Sequence, residues 1–60
     1  MKLGDFLKVL DSLLPIKVYV NGDEYGTYKQ AEVPEWCKKL ELSDVFIDEW
    51  YEDIGVSIYT

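Results

Sequence analysis

The sequence predicts a single small α+β domain in which a four-stranded antiparallel sheet packs on one main helix. Three observations support this fold class. An apolar stripe of helical period lies near the N-terminus, two later segments have the alternation and turn residues of β-hairpins, and 48% of the 60 residues are hydrophobic. This length allows one domain, residues 1–60, and the elements are expected in the order α-β-β-α-β-β.

The first helix is predicted between Leu3 and Leu14. Apolar residues recur there at the spacing of one helix face, and polar residues fall opposite them. Pro15 ends the helix, because a residue that precedes proline is pushed out of the α region. The apolar stripe is Leu3, Phe6, Leu7, Leu10, Leu13 and Leu14, and the polar side is Lys2, Asp5, Lys8, Asp11 and Ser12.

The first hairpin is predicted directly after this helix. Ile16–Val20 alternates in character and is rich in β-branched residues, as strands are. The dipeptide Asn21-Gly22 tolerates positive φ and favours a tight turn. The return strand is expected from Glu24 to about Lys29, and its register is open because Asp23 and Gly26 allow either a longer loop or a β-bulge.

A second, shorter helix is predicted from Pro34 to about Leu40. Proline fits the first position of a helix, because its missing N–H would have no partner there. Two consecutive lysines, Lys38 and Lys39, are favourable at the C-terminal end. Four residues are expected on the inner face of this helix: Val33, Trp36, Cys37 and Leu40.

The second hairpin is predicted from a strand over Val45–Tyr51, a turn at Glu52-Asp53 and a closing strand over Gly55–Thr60. Alternation would place Val45 and Ile47 in the core, opposite apolar residues of the closing strand. The residues expected opposite them are Val56 and Ile58, and those expected on the other face are Phe46, Asp48, Trp50, Ser57 and Tyr59.

The distribution of charge is the most informative global property of the sequence. Six lysines and twelve acids give a net charge of −6, and there is no arginine or histidine. The first forty residues are neutral, whereas the last twenty hold six acids and no base. Direct contact with nucleic acid or an anionic membrane is therefore disfavoured, and a basic protein surface is the natural partner. The six acids are Glu41, Asp44, Asp48, Glu49, Glu52 and Asp53.

The residue types argue against an enzyme. Nucleophilic catalysis would have to use a serine or Cys37, and no histidine is present to act as the base. Cys37 is expected to face inward, where a free cysteine is usually structural. No spacing of acids matches a calcium loop, and there is no glycine-rich phosphate cradle. The sequence therefore predicts no catalytic residue, no metal site and no cofactor.

The predicted compartment is the cytoplasm. No apolar run approaches the roughly 18 residues of a membrane span, and Asp5 interrupts the segment where a signal peptide would be apolar. Cys37 is the single cysteine, so an intrachain disulfide cannot form, which fits a reducing compartment.

Four aromatic residues are expected on the sheet face away from the first helix: Tyr19, Phe46, Trp50 and Tyr59. If they are uncovered, they form a patch large enough to imply a partner, or a homodimer joined through sheet faces. Alternatively, the second helix folds over this face with Trp36 and Leu40 and makes a second small core. The sequence leaves both arrangements open.

Three segments resemble very small acidic proteins found in prophages and mobile elements of Gram-positive bacteria. They are VYVNGDEYGTY, AEVPEW and DVFIDEWYEDIGVSIY, which together cover most of the chain after the first helix. Some small acidic phage proteins inhibit host defence, anti-CRISPR proteins among them. The resemblance implies an inhibitor or adaptor, and it assigns no functional residue because no binding motif defines the group.

The preferred hypothesis is a non-catalytic, phage-encoded inhibitor whose acidic C-terminal hairpin docks on a basic groove of a nucleic-acid-handling protein. Acids on a rigid hairpin can imitate a run of phosphates, with Trp50 or Tyr51 as an aromatic anchor. The expected contact residues are Asp48, Glu49, Trp50, Glu52 and Asp53. The alternative is a self-associating accessory protein whose aromatic sheet face is a homodimer interface.

Overall fold

The computed structural model describes residues 1–11, 13–50 and 52–60, with the backbone alone described at Asp48. The predicted places of Ser12 on the first helix and of Tyr51 as strand end and anchor lie outside the described residues. The α+β class is confirmed. The elements in chain order are α1 (Leu3–Val9), β1 (Ile16–Val20), β2 (Asp23–Tyr28), a 3-10 helix (Gln30–Glu32), α2 (Glu35–Lys38), β3 (Leu42–Asp48) and β4 (Asp53–Ile58).

The four-stranded sheet is mixed, so the predicted purely antiparallel sheet is wrong. Its strand order is β2-β1-β4-β3. Each hairpin is antiparallel, as predicted, but the two hairpins join through β1 and β4, which run parallel with Ile16 beside Ile54 and Val20 beside Ile58. This arrangement puts β4 between β1 and β3 and leaves β3 at an edge, where Asp44 is exposed.

Helix α1 ends at Val9, so the predicted extension to Leu14 is wrong. The side-chain amide of Gln30 donates hydrogen bonds to the main-chain carbonyls of Leu7 and Leu10, which satisfies acceptors left at the end of the helix. Leu13 is fully exposed, at 103% of its reference area. The apolar stripe therefore contributes Leu3 and Leu7 to the core, and Leu10 and Leu14 pack against the core after the helix has ended.

The first hairpin agrees closely with its prediction. Strand β1 has the predicted bounds, and the turn residues Asn21 and Gly22 have positive φ angles of 52° and 88°. The return strand begins at Asp23, one residue before the predicted start. The bulge permitted by Gly26 is present: Val18 pairs with Gly26 while the next residue pairs with Glu24, which leaves Tyr25 as the extra residue.

Helix α2 is a short turn that closes the core from the same side as α1. Pro34 precedes it at the cap position, so its predicted place inside the helix is wrong by one residue. Cys37 is buried, but Trp36 is exposed and packs edge-on against Tyr25, which corrects its predicted place on the inner face. The core consists of Leu3, Leu7, Ile16, Val18, Val33, Cys37, Ile54, Val56 and Ile58.

The second hairpin begins and turns earlier than predicted. Strand β3 covers Leu42–Asp48, and the turn that follows includes Glu52 at a φ of 54°. Asp53 is the first residue of β4 and is buried, so its predicted place in the turn is wrong. Val45 lies opposite Val56, as predicted, but Ile47 lies opposite Ile54. Both β3 residues are exposed, whereas Leu42 at the start of the strand packs against the core.

Gly55 allows the ring of Phe46 to lie directly on β4. A Cβ atom added at Gly55 would stand 2.2 Å from a ring carbon of Phe46. We therefore expect Gly55→Ala to lower the free energy of unfolding by about 1–3 kcal/mol, because the ring must swing away from its contact with Tyr19. Urea denaturation of the purified variant measures this loss.

The Phe46→Ala background is the matched control for the Gly55 change. With the ring removed, Gly55→Ala should be neutral or stabilising, because glycine inside a strand loses more backbone entropy on folding than alanine. An equal loss of stability in both backgrounds would show that the ring contact is not the cause.

Candidate protein-binding surface

The sheet has one face covered by helices and one open face. Ile54, Val56 and Ile58 are buried against the helices, so alternation along β4 places the intervening Gly55 and Ser57 on the opposite face. Both α1 and α2 contribute residues to the same core and contact each other. The arrangement in which the second helix folds over the aromatic face is therefore wrong, and no described element covers that face.

The open face brings together two of the four aromatic residues predicted for it. The rings of Tyr19 and Phe46 lie with their centroids 5.5 Å apart at an angle of 47°. Trp50 lies in the β3–β4 turn with 86% of its area exposed, and Tyr59 follows β4 and is exposed. The aromatic patch is thus a pair of rings on the sheet, with the other two side chains at the ends of β3 and β4.

The predicted acidic contact residues divide into exposed and buried positions. Glu49 and Glu52 are exposed in the turn beside Trp50. Asp48 ends β3 opposite Asp53, and its side chain lies outside the described part of the chain. Asp53 is only 6% exposed, so it offers no surface to a partner. In the described part of the chain, the surface of the turn therefore includes Glu49, Trp50 and Glu52.

Asp53 is a buried acid with incomplete hydrogen bonding. Its Oδ1 atom has no hydrogen-bond partner in the described part of the chain. The nearby Lys17 donates to Glu24 at 3.0 Å, and this hydrogen bond is the main cause of the raised pKa of Lys17, to which the charge of Asp53 adds. A buried oxygen without a partner costs free energy of folding, so this oxygen destabilises the folded state.

Sequence reasoning missed a second group of aromatic contacts at the β2 edge. Tyr25 packs against Trp36 with ring centroids 5.1 Å apart and against Tyr28 at 6.5 Å. The bulge leaves Tyr25 without a paired residue on β1, and its ring contacts Trp36 of α2. Gly26 gave the available indication, since it permitted the bulge, but the direction of the neighbouring ring follows only from the register.

A cavity of about 510 Å³ between the two helices was also missed by sequence reasoning. Four of the six lysines of the chain line it. Gly4 allows α1 to lie close to α2 at this cavity, because a Cβ atom on Gly4 would stand 3.1 Å from the Cβ of Lys38. The charged lining residues are Lys2, Asp5, Lys8, Glu35, Lys38 and Lys39.

Cys37 lies in the core, where burial raises the pKa of its thiol. The thiolate that would act as a nucleophile or a metal ligand is therefore disfavoured at neutral pH. Among residues 1–11, 13–50 and 52–60, no cluster of three or more potential metal ligands occurs. In the same ranges, no helix has the length and apolar character needed to cross a membrane.

The buried thiol predicts a specific pH dependence of stability. The thiol of the unfolded chain ionises at a lower pH than the buried thiol, so the unfolded state loses its proton first. The free energy of unfolding should therefore fall as pH rises above about 8.5, the ordinary pKa of cysteine. Urea denaturation between about pH 7 and about pH 9.5 measures the slope, and Cys37→Ala should reduce it. An unchanged slope in the variant would assign it to other groups.

Comparison of the chain with protein-family models, with curated proteins and with solved structures found no match. The functional assignment must therefore come from the surface of the molecule. On that surface, exposed apolar side chains and exposed acids occur together on the β3–β4 hairpin.

Proposed function

We propose that this protein is a non-catalytic, cytoplasmic inhibitor that docks its acidic hairpin on a basic surface of a nucleic-acid-handling protein. The acidic hairpin is defined here as β3, its turn and β4. One observation carries the proposal: exposed Ile47 and Trp50 lie next to exposed Glu49 and Glu52, in a segment of twenty residues without a lysine or arginine.

The composition of the acidic hairpin suits a protein interface. Tryptophan is enriched among the residues that dominate binding energy, and it acts as an anchor when the partner buries it. Acids around such an anchor attract a basic surface, accelerate association and discriminate against other partners. Trp50 is 86% exposed and has Glu49 beside it, so an anchor and steering charges are available together.

The same acids support imitation of a nucleic-acid backbone. A positively charged groove that binds phosphates would accept carboxylates held on a rigid hairpin in their place. The resemblance to small acidic prophage proteins, some of which inhibit host defence, agrees with this class of target. We therefore propose that the protein is phage-encoded and that its target is a defence protein that binds DNA or RNA.

Capture from a bacterial lysate tests the proposed function. The immobilised protein is compared with the double variant Glu49→Lys/Glu52→Lys, whose exposed positions leave the core untouched. We expect a basic nucleic-acid-binding protein to be retained by the original chain alone and released by added DNA or by salt, which screens charge. Retention of the same proteins by both chains, or retention that resists salt, would contradict the proposal.

Self-association through the open sheet face is the second candidate, favoured by the contact between Tyr19 and Phe46 on a face without a helix. A net charge of −6 on each copy opposes it, because like charges repel when two copies approach. Sedimentation equilibrium at high protein concentration separates the two candidates. We expect a monomer, and a stable dimer that Phe46→Ala dissociates would instead support the accessory role.

A further inference from the structure

We infer that the free edge of β3 binds an extended basic segment of the partner by strand addition. The inference rests on the proposed function and describes how the partner is held. Strand β3 is at the edge of the sheet. Its first residue, Leu42, donates a hydrogen bond to the Met1 carbonyl, but from Asp44 to Asp48 the described part of the chain pairs it with β4 alone. A sheet edge of this kind presents main-chain donors and acceptors that an incoming strand can use.

A hydrogen bond at Val45 identifies which main-chain groups face outward. The Val45 amide donates to the Oδ1 atom of Asp44 at 2.9 Å, so it is directed to a side chain rather than to β4. In an antiparallel pair, the N–H and C=O of one residue point to the same side, and successive residues alternate. The main-chain groups of Ile47 therefore face outward with those of Val45.

The side chains at this edge are apolar and accessible. Val45, Phe46 and Ile47 are exposed by 37%, 40% and 67% of their reference areas. Proteins commonly protect such an edge with lysine, proline or a bulge. The β3 segment from Asp44 onward has no lysine or proline, and its register shift lies earlier, between Leu42 and Asp44.

The opposite edge of the sheet is better protected, which singles out β3. Strand β2 is interrupted by the bulge at Tyr25 and contains Gly26. An incoming strand would meet a distorted ladder there. The β3 edge instead offers a regular run from Asp44 to Asp48, paired residue for residue with β4.

Alternation defines the chemistry of the incoming segment. On the helix side, its residues would lie beside Val45 and Ile47, which favours apolar side chains. On the open face, they would lie beside Asp44 and the ring of Phe46, which favours lysine or arginine through ion pairing and cation–π contact. Binding would also take over the Val45 amide and release the Asp44 carboxylate for the incoming cation.

A second copy of this chain is a poor occupant of the edge. Two β3 strands placed side by side would bring acidic segments together, and like charges opposite each other destabilise a sheet. Charge complementarity therefore favours, as the occupant of the β3 edge, a segment in which apolar and basic residues alternate.

Amide hydrogen exchange tests the inference on the unmodified protein. The probe is a short capped peptide in which valine and lysine alternate, added to the ¹⁵N-labelled chain. We expect the Val45 and Ile47 amides to exchange more slowly when the peptide is present, while a peptide with N-methylated valines has no effect. No binding of the alternating peptide, or binding without added protection at these two amides, would overturn the inference.

Proline at an outward-facing position gives a matched pair of variants. Ile47→Pro removes one edge donor and no β3–β4 hydrogen bond, whereas Ile47→Val keeps the donor. We expect the peptide to bind about tenfold more weakly to the proline variant and almost unchanged to the valine variant. Equal binding to both variants would refute strand addition.

The lysate experiment separates this inference from the proposed function. If Ile47→Pro still captures the salt-sensitive partner while Glu49→Lys/Glu52→Lys does not, the acidic hairpin binds without strand addition. If the alternating peptide protects the edge but no basic protein is captured, the edge binds extended segments and the proposed target class is wrong.

Discussion

Replacing Leu7 by alanine is expected to lower the free energy of unfolding by about 2–5 kcal/mol, whereas Leu13→Ala should change it by less than about 0.5 kcal/mol. Leu7 is buried in α1, and Leu13 is fully exposed after the helix has ended. A domain of this size has a total stability of about 3–9 kcal/mol. The Leu7 variant should therefore be partly or wholly unfolded at room temperature.

The two leucines make a matched pair because the sequence pattern places both in one apolar stripe. Urea denaturation followed by circular dichroism measures both variants against the original chain. Similar losses at the two positions would mean that the helix continues to Leu14 and packs along its whole length.

Replacing Asp53 by valine is expected to raise Tm by about 4–16 °C. The change removes a buried carboxylate whose Oδ1 atom lacks a partner in the described part of the chain, a gain of about 1–2 kcal/mol. In a domain of this size, each kcal/mol shifts Tm by about 4–8 °C. Valine is also a better strand residue than aspartate at the start of β4. Differential scanning calorimetry measures the shift.

Two further variants identify the source of this gain. Asp53→Asn removes the charge but keeps buried polar atoms, so it should raise Tm by less than valine does. Asp44→Val places the same side chain at an exposed strand position, where it gains strand propensity but loses the hydrogen bond from the Val45 amide, so it should shift Tm by less than Asp53→Val. A fall in Tm for Asp53→Val would mean that the attraction between this carboxylate and Lys17 outweighs the cost of its unpartnered Oδ1 atom.

The parts of the fold encoded by neighbouring residues follow correctly from the sequence. Strand β1 and its Asn21-Gly22 turn depend on β-branched alternation and on residues that tolerate positive φ. The end of α1 depends instead on Gln30, which is distant in the chain and bonds to the Leu7 and Leu10 carbonyls. The helical spacing of the apolar residues could not by itself exclude Leu13 from the helix.

The order in which the strands pair also cannot be predicted from the residue pattern within each strand. The alternation of β4 identifies its buried face, but it does not determine whether β3 or β4 joins the first hairpin. The exposure of the acids in the candidate surface is likewise not predictable from the sequence pattern. Glu52 and Asp53 are adjacent acids in the sequence, yet one is exposed in the turn and the other is buried in the strand. Only the register of the β3–β4 hairpin shows that Glu52 can attract a partner and that Asp53 cannot.

The central position of β4 has a consequence for how the chain folds. Its residues come last among the strands, yet they lie between β1 and β3 and connect the two hairpins. During folding, the apolar faces of the first hairpin and the helices stay partly uncovered until residues 53–58 pair with β1. Because the parallel pairing joins segments far apart in the chain, we expect folding to be slow for so small a domain, with its rate limited by the docking of this last strand.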